Sequence, residues 1–262
     1  MSEADRTGAA RDAVDDPGSA PSWYLRCRAE DVGDRAVLVG DRGRVAKAAE
    51  LLDEPAWFGK DRGLTTVTGR YRGKTVTVSA FGMGAPIAAV VLHELASLGV
   101  RTFLRLGTAL AIGPTRLGDL VIADGAVRGE STSATYAPLN YPAVADHDLN
   151  SALRARVARS PRPAVTGLFA SFDGFYTEMV AIDPDRAASV AATLGELAGN
   201  GVCAGDMETS VVLVAARVLG ARAGSLCLAT VDPLSHRRLD VAAREAGEHD
   251  LLRAGLAALT DV

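Results

Sequence analysis

Apolar residues along the chain fall into short runs of two kinds, continuous and periodic. Ala36-Val37-Leu38-Val39 is continuous and ends in Gly40-Asp41, which predicts a buried strand running into a loop. Residues 45–52 carry apolar side chains at helical spacing. Within 64–80, Val67 and Tyr71, then Val76 and Val78, sit on a period of two about Arg72-Gly73-Lys74, the pattern of a hairpin. Residues 86–99 form an apolar segment with proline at its start and glycine at its end, the asymmetry expected of a helix. Further strands are predicted at 102–106, 120–127 and 225–231, and further helices at 149–159, 184–197, 207–219 and 241–259. Such alternation predicts an α/β sandwich around a parallel or mixed sheet.

Composition narrows the class. Lys+Arg 28 against Asp+Glu 32 leaves a net charge of −4, so nothing draws the chain as a whole to nucleic acid or to anionic membranes. An apolar content of 48% is too high for a disordered chain. Residues 1–20 hold five acids, two bases and no aromatic; they read as a disordered leader, and 21–262 as a single domain. The uncharged run 75–92 is long enough to cross a bilayer but is broken by Gly82-Met83-Gly84-Ala85-Pro86, which argues against a spanning helix. Three cysteines, Cys27, Cys203 and Cys227, form no CxxC pair, so a reducing, cytoplasmic setting is expected. Four histidines at 93, 147, 236 and 249 have no ligand spacing, and no metal site is expected.

The candidate chemistry lies in strand-to-turn junctions. Gly82-x-Gly84 begins a dinucleotide-like turn, but Ile87 stands where a third glycine would be needed. Arg44, Arg62 and Arg105 each sit beside glycine-rich turns. Arg105 stands inside an apolar strand and is followed by Leu106-Gly107-Thr108. A guanidinium there is costly unless it is paired with an acid, Asp119 or Glu94 being candidates, or grips an anion such as phosphate. Asp206-Met207-Glu208 opens an apolar helix. Asp206 reads as a cap, whereas Glu208 heads a buried element and could hold vicinal hydroxyls. Phe172-Asp173-Gly174-Phe175-Tyr176 sets aromatics beside a glycine, either as core or as a stacking platform.

Taken in order, Gly40-Asp41-x-x-Arg44-Val45, Gly82-Met83-Gly84-Ala85-Pro86, Arg105-Leu106-Gly107-Thr108 with Gly118-Asp119, Ala137-Pro138-Leu139 through Asp146, Asp173-Gly174-Phe175-Tyr176 and Asp206-Met207-Glu208 resemble the hexameric type of nucleoside phosphorylase, most closely the uridine phosphorylases. The resemblance runs from about residue 24 to 232. It implies a three-layer α/β/α sandwich with a mixed, partly barrel-like sheet, and reversible phosphorolysis of an N-glycosidic bond to free base and ribose 1-phosphate. Inorganic phosphate is then a co-substrate, and no cofactor is called for. By the same resemblance Gly40, Arg44, Arg105 and Thr108 hold phosphate. Arg62 reaches the phosphate of a neighbouring subunit, so a homo-oligomer, dimer or hexamer, is implied. Met207 and Glu208 hold the ribose, Tyr24 stands where the family has a histidine touching the neighbouring subunit's sugar, and Phe175 packs on the base.

Some positions depart from the family pattern. Ala109 and Leu110 replace a small polar residue and a glycine. Met179 and Ala181 replace the Gln and Arg that read uracil. Val231 stands at or beside the position of the purine enzymes' aspartic acid, with Asp232 next to it as a possible proton donor. The implied substrate is therefore a different or modified nucleoside, with Glu178 or Asp232 as polar contacts to the base. Two alternatives stand beside this reading: a hydrolytic nucleosidase on the same scaffold, and a non-catalytic nucleoside-binding protein.

Overall fold

A computed structural model describes residues 21–59 and 61–262; the predicted leader, 1–20, lies outside the described residues. The chain alternates strands and helices as the patterning predicts. Strand β1 (Arg35–Val39) is buried at every position, as a strand covered on both faces must be. It runs parallel to β4 (Lys74–Ala80) and to β5 (Thr102–Ala111). β3 (Thr66–Tyr71) and β4 form the predicted hairpin, closing at Tyr71↔Lys74 over Arg72 and Gly73, both with positive φ. A left-handed two-residue turn matches the strand twist. Beyond it, β2 (Asp53–Phe58) pairs with β3 at the sheet's edge.

β5 organises everything else. Along nearly its whole length one edge pairs with β10 (Arg222–Val231), from Thr102↔Arg222 to Leu110↔Val231. The other edge is shared between two strands. β1 takes Thr102 to Arg105, and β9 (Val202–Asp206) takes Leu110 and Ala111. β10 pairs in turn with β6 (Leu120–Gly129), β6 with β8 (Ala164–Phe172), and β8 with β9. Five strands thus close on themselves, and β1, β4, β3 and β2 extend from the barrel as a wing. A two-residue strand, β7 (Ala143–Val144), lies against β6.

Helices cover both faces. Ala36, Leu38 and Phe103 pack with α2 (Ala85–Ser97) and α5 (Thr209–Val218). Val37, Val39, Leu104 and Leu106 pack with α1 (Arg42–Ala49), α3 (His147–Val157) and α6 (Val241–Leu259). The alternation along β1 and β5 is what makes three layers. A third apolar cluster packs α4 (Pro184–Gly199) over Leu110, Ile112 and Val202.

Four strands, β2, β7, β8 and β9, were not expected from the sequence. Two helix starts also lie earlier than predicted, because polar caps extend them: Asp41 accepts from Gly43 N, and Asp146 from Leu149 N. The helix expected from 207 begins instead at Thr209, leaving Glu208 at its N-cap.

Phe103 is fully buried between β5 and the α2–α5 layer. Replacing it with alanine should lower unfolding free energy by about 3–5 kcal/mol, read as a lower denaturant midpoint at unchanged slope.

Candidate active site

The shared edge of β5 leaves a gap. From Leu106 to Ala109 that edge has no strand partner among the described residues, because β1 ends its pairing at Arg105 and β9 begins at Leu110. β1 is parallel and β9 antiparallel to β5, so their C-terminal ends approach the gap from opposite directions. Gly40 and α1 follow the first, and Met207, Glu208 and α5 the second. The loop after β4 joins them: Gly82 N donates to Gly40 O at 3.0 Å. Outside the C-terminal ends of strands is where α/β folds bind ligands.

Arg105 is 4% exposed and Glu208 5%. Nη2 of Arg105 donates to Glu208 Oε2 in a close charged pair, and lies 3.2 Å from Asp206 Oδ2. Nη1 donates to Cys227 Sγ at 2.8 Å. The other oxygen of Glu208 accepts from Gly84 N at 2.7 Å. Gly84 has φ 99°, a left-handed conformation open to glycine and strained for other residues. That backbone N–H lies at the start of α2, where positive dipole and unpaired donors favour a carboxylate. Asp206 is fixed as firmly: it accepts from Ser171 Oγ at 2.6 Å and from the N and Oγ1 of Thr209 at 3.1 and 2.5 Å. A buried ion pair, one of the two readings left open for Arg105, therefore exists, but with partners other than Asp119 and Glu94. Asp119 accepts from Arg116 N, and Glu94 from the N–H groups of Tyr24 and Leu25.

Arg44, buried in the first turn of α1, donates from Nη1 to Leu106 O at 3.0 Å, the residue next to Arg105. Its Nε lies 3.5 Å from Glu248 Oε1 on α6, and Glu248 also holds Lys47 at 2.7 Å and Arg244 at 3.1 Å. Four cations (Arg44, Lys47, Arg105, Arg244) thus face three carboxylates (Asp206, Glu208, Glu248), leaving one positive charge. Both buried guanidiniums keep an Nε–H without a hydrogen-bond partner, spare donor capacity that suits an oxyanion. Burial pulls the Arg44 pKa down, Glu248 opposes this, and the nearby Arg105 charge adds to the depression. Burial acts on Arg105 in the same sense but is overcome by Cys227, Asp206 and Glu208, so its pKa lies above the ordinary range. The Cys227 thiol is itself pushed up by burial, hence neutral near pH 7, and the two carboxylates carry the effect. Glu248 is held below the usual range: burial would raise it, but Lys47, Arg44 and Arg244 together prevail.

Beside Glu208 the site turns apolar. Met207, Phe175 and Val231 border a cluster containing Leu110, Phe172, Met179 and Ala181. Phe175 stands edge-on to Tyr176 at 5.0 Å between ring centres. Leu110 is buried within this cluster.

A family model described as "Phosphorylase superfamily" matches residues 34–255, a span that takes in Arg44, Arg105, Asp206, Glu208 and Glu248. The chain belongs to the phosphorylase superfamily. It is 35% identical over 211 residues to a guanosine phosphorylase of Halorubrum lacusprofundi, covering 80% of this chain and 82% of that one. It is 34% identical over 211 residues to a uridine phosphorylase of Thermococcus kodakarensis, covering 78% and 75%, and 35% identical over 193 residues to that of Escherichia coli, covering 72% and 76%. The crystal structure of a Vibrio fischeri uridine phosphorylase superposes with a TM-score of 0.83 at 25% identity, over 93% of this chain and 98% of that one.

Within this superfamily member, the predicted residues fall into separate groups. Gly40, Arg44, Arg105, Thr108, Met207 and Glu208 all flank the β5 gap, with Phe175, Met179 and Val231 on its apolar side. Tyr24 and Arg62 form a group of their own. The Arg62 guanidinium lies 5.5 Å from the Tyr24 ring centre, a cation–π distance, in a small hollow shared with Trp23 and Arg26. Glu94, which anchors Tyr24, is nine residues along α2 from Ala85, about 14 Å from its start. Glu178 turns back to accept from Gly174 N at 2.7 Å. Asp232 accepts from Leu234 N and Ser235 N; the Ser235 side chain first, then these N–H groups and the Arg237 charge, hold its carboxyl below the usual range against the effect of burial. It is an acceptor tied into a turn, which is a poor starting point for the proton donor expected from the sequence. Cys227, Glu248 and the Gly84 N–H were missed; only the glycine motif at 82–84 signalled one of them.

Gly107 lies under the Arg105 fork, and an added Cβ would meet Nη1 at 1.7 Å. Gly107→Ala should therefore displace the guanidinium and raise KM for phosphate at least tenfold in steady-state assays. Glu248→Gln should destabilise the fold by about 3 kcal/mol at pH 7, since it leaves Arg44 buried and uncompensated. The Glu248 pKa is lowered from an ordinary value of 4.5, so its contribution is present above that value and lost as pH falls through the folded one. The stability gap between the two proteins should shrink as pH falls below 4.5 in denaturation curves measured against pH.

Proposed function

We propose that the chain is a nucleoside phosphorylase, which cleaves the N-glycosidic bond of a nucleoside with inorganic phosphate to give free base and ribose 1-phosphate. The observation that carries this reading is the Glu208 carboxylate, buried and bridging Gly84 N–H and the Arg105 guanidinium. It joins a sugar-holding group to an anion-holding group through one salt bridge. Each carboxylate oxygen has a second lone pair, free to accept from the vicinal hydroxyls of a ribose. Arg105 and Arg44 would take the phosphate oxygens, with Gly40 and Thr108 on either side.

As the glycosidic bond breaks, positive charge develops on the ribose ring and negative charge on the base. Phosphate held beneath C1′ stabilises the first and then bonds to it, an effect of positioning and electrostatics. The phosphate thus supplies the nucleophile, and the step calls for no metal or redox cofactor. Asp206 positions Arg105, while Phe175, Met207 and Val231 give the base an apolar wall. Where uracil-reading relatives would have Gln and Arg, Met179 and Ala181 offer no hydrogen bond, which favours a different or modified base. Tyr24 and Arg62, grouped apart from Glu208, are assigned to the site of a second copy, making a homodimer the smallest complete unit.

A panel of purine, pyrimidine and modified nucleosides, assayed with and without orthophosphate, tests the reading. Base release should require phosphate and yield ribose 1-phosphate. Release of free ribose at equal rate without phosphate would instead mark a hydrolase. Glu208→Gln should lower kcat/KM by about 10²- to 10³-fold, the usual scale for losing one preorganised polar contact to the transition state.

A further inference from the structure

One cavity lies away from the β5 gap. It encloses about 510 Å³ between the end of β5 at Ala111 and Ile112, the following loop, α4, and the turn at 232–237. Neither Arg44, Arg105 nor Glu208 lines it, and the phosphorolysis mechanism has no use for it.

Its chemistry is specific. Thr115 lines the cavity at 7% exposure, and its Oγ1 has no hydrogen-bond partner. Its backbone N–H donates to Ile112 O at 3.2 Å. A buried hydroxyl left unpaired is unfavourable, so Oγ1 is a polar group on the cavity wall with its bonding capacity unspent. Arg116 and Arg237 also line it, and among the described residues neither side chain takes part in an ion pair. The only lining acid is Asp232, whose carboxylate is turned onto the N–H groups of Leu234 and Ser235. Two arginines against one occupied carboxylate make the cavity positive in a chain whose net charge is −4. The remaining wall is apolar: Ile112, Leu117, Leu194 and Pro233.

We propose that this cavity is a second binding site, for a small organic anion: a carboxylate or phosphate group held by Arg116, Arg237 and Thr115 Oγ1, its apolar body against Ile112 and Leu194. The apolar cluster that carries Ile112 and Leu194 also contains Leu110 and Met179, and Phe175 and Val231 pack against it. An occupant therefore leans on the same cluster that walls the base. Gly195 provides a means of blocking the site without touching a polar group, since a Cβ there meets nothing within 4 Å and helix α4 tolerates larger residues better than glycine.

The test is calorimetric titration of the full chain under saturating orthophosphate, which occupies the Arg44–Arg105 site. The probes are naphthalene-2-carboxylate, 2-naphthyl phosphate and the uncharged naphthalene-2-carboxamide. The expected result is saturable binding of at least one anion at one per chain, with the amide at least tenfold weaker. Thr115→Val should weaken the anion about five- to tenfold, and the Arg116→Gln/Arg237→Gln double variant at least thirtyfold. Gly195→Leu should abolish binding while keeping the native thermal midpoint. Binding of only one anion supports the site and identifies its headgroup. No anion binding at millimolar concentration, an amide as tight as the acid, or unchanged affinity in both the double variant and Gly195→Leu would overturn the proposal.

Discussion

One carboxylate holds the active region together. Glu208 takes a backbone N–H from the start of α2 with one oxygen and the Arg105 guanidinium with the other, so it ties β5, α2 and α5 at a single point. An ion pair this deeply buried gains little net stability, because desolvation offsets most of the Coulomb attraction. Its value is geometric. The guanidinium is fixed by Glu208, Asp206 and Cys227 at once, and Asp206 is itself fixed by Ser171 and Thr209. Very little freedom remains to be lost when an anion arrives, which is the condition for electrostatic stabilisation without reorganisation.

The barrel explains why this point exists. A strand with a full-length partner on both edges has no backbone to offer a ligand. β5 has β10 on one edge and two short partners, β1 and β9, on the other, and the interval between them is flanked by the phosphate- and sugar-side candidates other than Arg62 and Tyr24. Leu106 O at that interval is taken by Arg44, so the second guanidinium also serves to satisfy a carbonyl that the sheet leaves unpaired. Glu248 then links this arrangement to the C-terminal helix through Arg44 and Lys47.

Much of this was legible in the sequence, and what was not has physical reasons. The hairpin could be read from Arg72-Gly73 because turn chemistry is local. Arg105 could be singled out because a guanidinium inside Phe103-Leu104-Arg105-Leu106 needs an explanation. Its partners could not be named: Glu208 is 103 residues away, and nothing local distinguishes it from Asp119 or Glu94. β9 escaped notice because Val202-Cys203-Ala204-Gly205-Asp206 is short and rich in small residues; barrel closure, a non-local event, makes it a strand. β8 alternates exposed and half-buried positions over its first half, with Gly167 inside, which blurs its period. The ordered motifs gave the superfamily directly, whereas the cavity beside α4 is assembled from three separate segments and leaves no trace in the sequence.

The central claim is that Arg44 and Arg105 share one orthophosphate beside Glu208. Calorimetric titration of orthophosphate into the native chain and into Arg105→Met measures it directly. The account predicts one saturable site per chain in the native protein and its loss in the variant. Equal affinity in the two proteins, or no binding to the native chain, would contradict it.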